Sequence, residues 1–135
     1  MYCAGASKDL DRCERAIAAV RAMGHEVTFD WCAHARAHGG DANKGSADVL
    51  SEAARLCLSG AMRADFVWLL VPPIDKPTAG AWWEAAAADA HGVTIIASDP
   101  DGPMQACLFL FMPSVRRFDS DADALAVLAE MARAA

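Results

Sequence analysis

The stretch Ala64 to Asp89, ADFVWLLVPPIDKPTAGAWWEAAAAD, decides the fold. It opens on an apolar block, Phe66 to Val71, with no polar alternation. Such a block fits a strand of a parallel sheet, buried on both faces beneath helices. Pro72 and Pro73 stop it, because proline donates no backbone N–H and restricts the residue before it. A polar loop follows from Ile74 to Gly80, carrying Asp75, Lys76 and Thr78. Beyond it, AWWEAAAADA reads as an alanine-rich helix. Glu84 is therefore expected in the first turn of a helix, just past the carboxyl end of a buried strand. In open α/β sheets that is where ligands bind.

A carboxylate at that place has two readings. It can complement the helix dipole at an exposed N-terminus, worth about 0.3–1 kcal/mol. Alternatively it is a catalytic group beside a pocket at the sheet edge. Trp82 and Trp83 favour the second reading, since indoles are costly to expose and well suited to walling a flat ring.

Working outward, the chain alternates short apolar runs with helical periodicity. Met1 to Ala4 reads as a strand ending at Gly5, and Ser7 is placed to cap a helix over 8–23. Leu10, Cys13, Ile17, Val20 and Met23 recur on one face of that helix, and Gly24 ends it. Glu26 to Phe29 reads as a short second strand. Asp30 to Gly45 has no clear periodicity and reads as a long loop that folds over a pocket. Ser46 caps a further helix over 47–62. After the Glu84 helix come a strand over 93–97, a turn over 98–102, a last apolar strand over 107–112 and a closing helix over 122–132, with Arg116, Arg117 and Asp119 to Asp123 on the surface. This order predicts an α/β fold: a flavodoxin-like, doubly wound, parallel five-stranded sheet in the order 2-1-3-4-5, with helices on both faces. Its switch point lies between the first and third strands. Gly5 to Ser7 and Pro72 to Glu84 then face each other across one crevice.

At 135 residues the chain is read as one domain, residues 1–135, and hydrophobic content of 55% against 22% charged makes it globular. The net charge of −6 argues against a nucleic-acid groove, which needs clustered Lys and Arg. No apolar run approaches the length of a membrane span, and the N-terminus lacks the basic and apolar regions of a signal peptide. The five cysteines, Cys3, Cys13, Cys32, Cys57 and Cys107, are odd in number, scattered and without a C-x-x-C pair. They read as buried residues of a reducing compartment, and the protein is expected to be cytoplasmic, bound neither to membrane nor to nucleic acid.

A strand, a loop and then Gly80-Ala81-Trp82-Trp83-Glu84 opening a helix resembles the signature of the nucleoside 2-deoxyribosyltransferase-like family. Tyr2-Cys3-Ala4-Gly5 and Gly24-His25-Glu26-Val27 resemble that family's opening strand and its second strand. Together these motifs span roughly residues 1 to 97. The resemblance implies that Glu84 is the nucleophile attacking the sugar carbon of an N-glycosidic bond. It implies that Asp75 holds the sugar or handles a proton, and that the Tyr2 hydroxyl lies near the nucleophile. It also implies a nucleoside or nucleotide as ligand, no cofactor, and a homo-oligomer, because family relatives share their sites across subunits. Three departures stand out. Pro77-Thr78-Ala79-Gly80 replaces the usual acidic-Gly-Thr approach, alanines follow Glu84, and Pro72 and Pro73 intrude after the third strand.

The chemistry fits the residue types. Cleavage of an N-glycosidic bond passes through an oxocarbenium-like state that a carboxylate stabilises or traps. Gly5 allows close approach of a ligand to the backbone, and Ser7 at a helix N-terminus suits a phosphate. Gly80, Trp82 and Trp83 complete the expected ligand-binding set. Other readings are a non-catalytic nucleotide-sensing module on the same scaffold, an NAD-cleaving hydrolase, and a subunit interface built on the two tryptophans. His34 and His38, four apart and with Cys32 and Asp41 nearby, have a spacing that suits zinc, but the glycines around them promise no rigid helix, and no metal is expected. No G-x-S-x-G elbow and no glycine-rich phosphate fingerprint occurs.

Overall fold

A computed structural model describes residues 1–73, 75–76, 78–100, 102 and 107–134. Parts of the expected loop at 74–80 and of the turn at 98–102, namely Ile74, Pro77 and Asp101, lie outside the described residues. The elements are β1 (Tyr2–Ala4), α1 (Leu10–Ala22), α2 (Trp31–Ala37), α3 (Ala47–Met62), β2 (Phe66–Leu70), α4 (Gly80–Ala90), β3 (Thr94–Ser98), β4 (Val115–Phe118) and α5 (Asp121–Ala134). The four strands form one sheet in the order β1-β2-β3-β4, and every neighbouring pair is parallel. This α/β arrangement is compatible with a flavodoxin-like fold.

The apolar block is the centre of the sheet, as its composition requires. Val67, Trp68, Leu69 and Leu70 are all buried, and so are Ile95, Ile96 and Ala97 beside them in β3. Successive strand residues face opposite ways. In β1, Tyr2 lies against α3 and α4, whereas Cys3 neighbours Cys13 of α1. Helices α3 and α4 pack on each other and on the sheet, and α1 and α5 pack together on its other face.

Three expectations need correction. The second strand does not form. Only the start of its segment lies beside β1, where the Met1 amino group donates to the Glu26 carbonyl at 2.8 Å and the Thr28 N–H donates to the Met1 carbonyl at 2.9 Å. Those are the two bonds of a single parallel bridge between Met1 and Val27. Further pairing is cut off because the Trp31 indole N–H takes the Cys3 carbonyl at 2.8 Å, the acceptor that a longer strand would use. Asp30 then turns the chain into a helix, its side chain accepting from the Ala33 N–H at 3.1 Å. The expected loop over 30–45 accordingly begins with α2.

The last strand is also displaced. The apolar run from Cys107 to Met112 forms a 3₁₀ turn, Leu108–Phe111, that buries only Leu110. The strand that joins the sheet is β4, with exposed Arg116 and Arg117. At the margin of a sheet, charged side chains are a common protection against unwanted pairing, so polarity there disguises a strand. The third correction is small. Ser7 does not cap α1, because a 3₁₀ turn over Ser7–Asp9 precedes that helix and its side chain caps nothing. Ser46 does cap α3, accepting from the Val49 N–H at 3.4 Å.

Candidate functional site

Helix α4 is short and alanine-rich, and its inward face is set by spacing. Ala81, Ala85 and Ala88 are buried, and Glu84 shares their face at positions three after Ala81 and four before Ala88. Glu84 is the fifth residue of the helix, just past the first turn in which the sequence placed it. Dipole complementation at the helix start therefore does not account for it, since that effect fades within the first turn.

What Glu84 faces is the decisive observation. The half-buried carboxyl meets Tyr2 of β1 and Cys57 of α3. Burial pushes the Glu84 pKa up to about 7, while the adjacent Tyr2 hydroxyl and Cys57 thiol pull in the opposite direction. Among the described residues no cation pairs with it. A carboxyl group withdrawn from water without a counter-charge is costly, and such groups gather at functional sites.

Both neighbours stay neutral at physiological pH. Burial, reinforced by the Glu84 charge, holds the Tyr2 hydroxyl well above its ordinary range. The Cys57 thiol is pushed up to about 12, first by burial and then by Glu84. The Tyr2 ring is fully buried, and its hydroxyl completes no hydrogen bond of good geometry although it lies close enough to act on Glu84 and Cys57. An unsatisfied buried hydroxyl costs roughly 1–3 kcal/mol, which is tolerated most readily where function requires it.

Gly60 explains how the three elements come this close. A Cβ there would lie 3.2 and 3.3 Å from two carbons of the Tyr2 ring and 2.9 Å from the Phe29 Cβ. Helix α3 therefore needs a glycine one turn after Cys57 to settle onto the tyrosine.

The other expected site residues are placed less tightly. The turn after β1 and the loop after β2 do meet, through Lys76 Nζ and Asp9 Oδ1 at 3.4 Å. Asp75 itself is exposed, and among the described residues no side-chain bond joins it to Glu84. Gly5 makes room for the protein rather than visibly for a ligand, because a Cβ there would overlap the Cys13 sulfur. The Ser7 hydroxyl accepts from Asn43 Nδ2 at 3.4 Å. Gly80 opens α4 in free space, its nearest neighbour for a Cβ being Thr78 Oγ1 at 3.9 Å. Trp82 packs partly on the core, but Trp83 is 69% exposed. Exposed Trp83 cannot wall the carboxyl as the sequence suggested. Glu84 loses its water to the contact of α4 with α3 and β1 instead.

In the sequence Cys57 reads only as one of five buried cysteines, and nothing in its spacing marks it as a neighbour of Glu84. His34 and His38 do share a helix face, with ring centroids 4.2 Å apart. Among the described residues, no group of three or more His, Cys, Asp or Glu is arranged to hold a metal, and no helix is long and apolar enough to cross a membrane. Two surface depressions, of about 250 Å³ beside Asp99 and Arg117 and about 770 Å³ beside Met1 and Arg63, do not include Glu84. Comparison of the chain with family models, with curated proteins and with solved structures gives no match.

Proposed function

We propose that the protein acts on the N-glycosidic bond of a nucleoside or nucleotide, with Glu84 as nucleophile. The observation that carries this reading is the half-buried, unpaired Glu84 carboxyl, held near neutrality beside the orphaned Tyr2 hydroxyl. Tyr2 and Glu84 come from the two stretches whose motifs resemble the deoxyribosyltransferase-like family, and they are neighbours in space. The Met1–Val27 bridge supports reading the sheet as a 2-1-3-4-5 arrangement with its second strand reduced to one bridge.

In the first step a carboxylate oxygen of Glu84 bonds to the anomeric carbon as the C–N bond breaks. The electron pair of that bond leaves on the base nitrogen, which takes up a proton. A second base then re-forms a C–N bond, releasing the carboxylate and giving transfer with retention. Water in place of the second base gives hydrolysis. Tyr2, whose hydroxyl lies beside the carboxyl, is the proposed donor to it when it is charged, and Asp75, on the exposed loop, is the proposed partner for the sugar or the proton. The homo-oligomer implied by the resemblance has exposed apolar surface to use, with Trp83 at the start of α4.

Incubation with a mixed panel of nucleosides, nucleotides and NAD plus a free base, followed by chromatography, tests the proposal. New nucleosides or released base are expected, and Glu84→Ala abolishes them with the fold intact. Equal turnover in Glu84→Ala would sink the assignment. Binding without product from the native protein would favour the sensing module instead.

A further inference from the structure

We propose that the outer edge of β4 docks an extended acidic segment of another protein, which adds to the sheet as a further strand. β4 ends the sheet order and pairs with β3, so its other side is open among the described residues. The Ser114 and Phe118 carbonyls point towards β3, accepting from the Ile95 and Asp99 N–H groups at 3.0 Å each. Alternation then turns the Val115 carbonyl and both backbone groups of Arg117 away from the sheet. The Val115 N–H is taken by the Met112 carbonyl at 3.0 Å. An edge with free donors and acceptors invites a partner strand, whose main chain gives affinity and whose side chains give specificity.

Charge decides which strand fits. Arg116 and Arg117 are exposed, and among the described residues neither forms an ion pair. They project from opposite faces of β4. Arg116 lies over the Phe118 ring, 5.9 Å from its centroid, and Arg117 over the Phe111 ring at 4.2 Å. A guanidinium stacked in this way keeps its planar fork of N–H groups for a carboxylate. A strand alongside sets consecutive residues against Arg116 and Arg117, one on each face, so two adjacent acids match them. The 3₁₀ turn that carries Phe111 also leaves Leu108 and Phe109 69% and 63% exposed, apolar surface for a residue flanking the acids. Asp99 and Asp119 share a depression with Arg117 past the strand's end, which disfavours a longer acidic run. A second copy docking by a two-fold axis brings the same two cations against themselves. Two cations on a chain of net charge −6 are too few to hold a nucleic-acid strand.

The test uses a fluorescein-labelled peptide, Thr-Val-Glu-Glu-Val-Thr, against a control with Lys-Lys in place of Glu-Glu. Fluorescence anisotropy with the native protein should show the acidic peptide binding about tenfold more tightly than the control. The double variant Arg116→Glu with Arg117→Glu should lose that preference while its thermal unfolding is unchanged, since both side chains are exposed. A second measurement needs no variant. N-methylation of the first glutamate keeps the charges but removes the N–H that donates to the edge in either strand direction, and it should abolish binding. Absence of binding by the acidic peptide, or binding that survives N-methylation, overturns strand addition. Equal or tighter binding of a labelled oligothymidylate assigns the edge to single-stranded nucleic acid instead. Self-association in sedimentation that the arginine substitutions abolish assigns it to a second copy, and either result overturns the acidic-partner reading. None of these readouts depends on Glu84.

Discussion

Arg12 and Asp121 meet through two parallel hydrogen bonds, from Nε at 2.8 Å and Nη2 at 2.7 Å, joining the first and last helices across one face of the sheet. Arg12 also donates to the Val71 carbonyl at 2.9 Å, and Ser98 Oγ donates to Asp121 while accepting from the Trp68 indole at 3.0 Å. Burial alone would raise the Asp121 pKa, but the bonds from Arg12 and Ser98 outweigh it and hold the group below its ordinary range. Replacing Arg12 by Ala leaves these acceptors unmet. A loss of about 2–3 kcal/mol in denaturant unfolding is expected, below the ~3–5 of a fully buried pair because Asp121 keeps a third of its side-chain surface. The Asp121 contribution is present above the unfolded carboxyl pKa and is lost as pH falls through the lower folded value.

Glu84 has the opposite sign. Its folded pKa of about 7 exceeds the ordinary 4.5, so the native state keeps a proton that the unfolded chain releases. Stability from this group is fully present below about pH 4.5 and is lost as pH rises through 7. Glu84→Gln should therefore match the native protein at pH 4 and exceed it by about 2–3 kcal/mol at pH 8. Urea titrations at the two pH values check this, and equal differences at both would show that the carboxyl is not desolvated.

Two glycines should respond in contrasting ways to alanine. At Gly60 the added methyl meets Phe29 at 2.9 Å, so Gly60→Ala should cost about 1–3 kcal/mol and displace the Tyr2 ring. At Gly80 it meets open space at a helix start, so stability should be unchanged or rise by up to about 1 kcal/mol. Thermal unfolding reads both. Any fall in nucleoside turnover by the stable Gly80→Ala protein would then report approach of the ligand itself.

Trp83 is 69% exposed, and its replacement by Ser should change stability by no more than about 0.5 kcal/mol. Sedimentation of native and Trp83→Ser protein at several concentrations shows whether that indole holds subunits together. Identical profiles would remove Trp83 from any interface.

The parallel sheet was legible because β2 is apolar on both faces and is followed by a proline stop and an alanine-rich helix. Helix α3 was legible to its ends, from Ser46 to Met62. The second strand misled because Val27 and its neighbours have strand-like composition, yet a single indole two residues beyond them ends the pairing. The final strand misled in the reverse direction, an apolar run being spent on a 3₁₀ turn while V-R-R-F entered the sheet. At the site, Glu84 and Tyr2 were legible from short motifs. The partnership of Cys57 was not, because it depends on how closely α3 descends onto β1, which Gly60 sets. The tryptophans drew attention by size, but helical phase turned Trp83 outward.

The Trp31 indole on the Cys3 carbonyl bears on how this chain behaves in a crowd. With that acceptor occupied by a side chain of the same molecule, a stray polypeptide finds only the first rung of a ladder at this flank. Fibrillar stacking would have to begin from the opposite flank, at Val115–Phe118, where two guanidinium groups repel an identical copy arriving in register. Removing the indole would open a template that the native chain keeps shut.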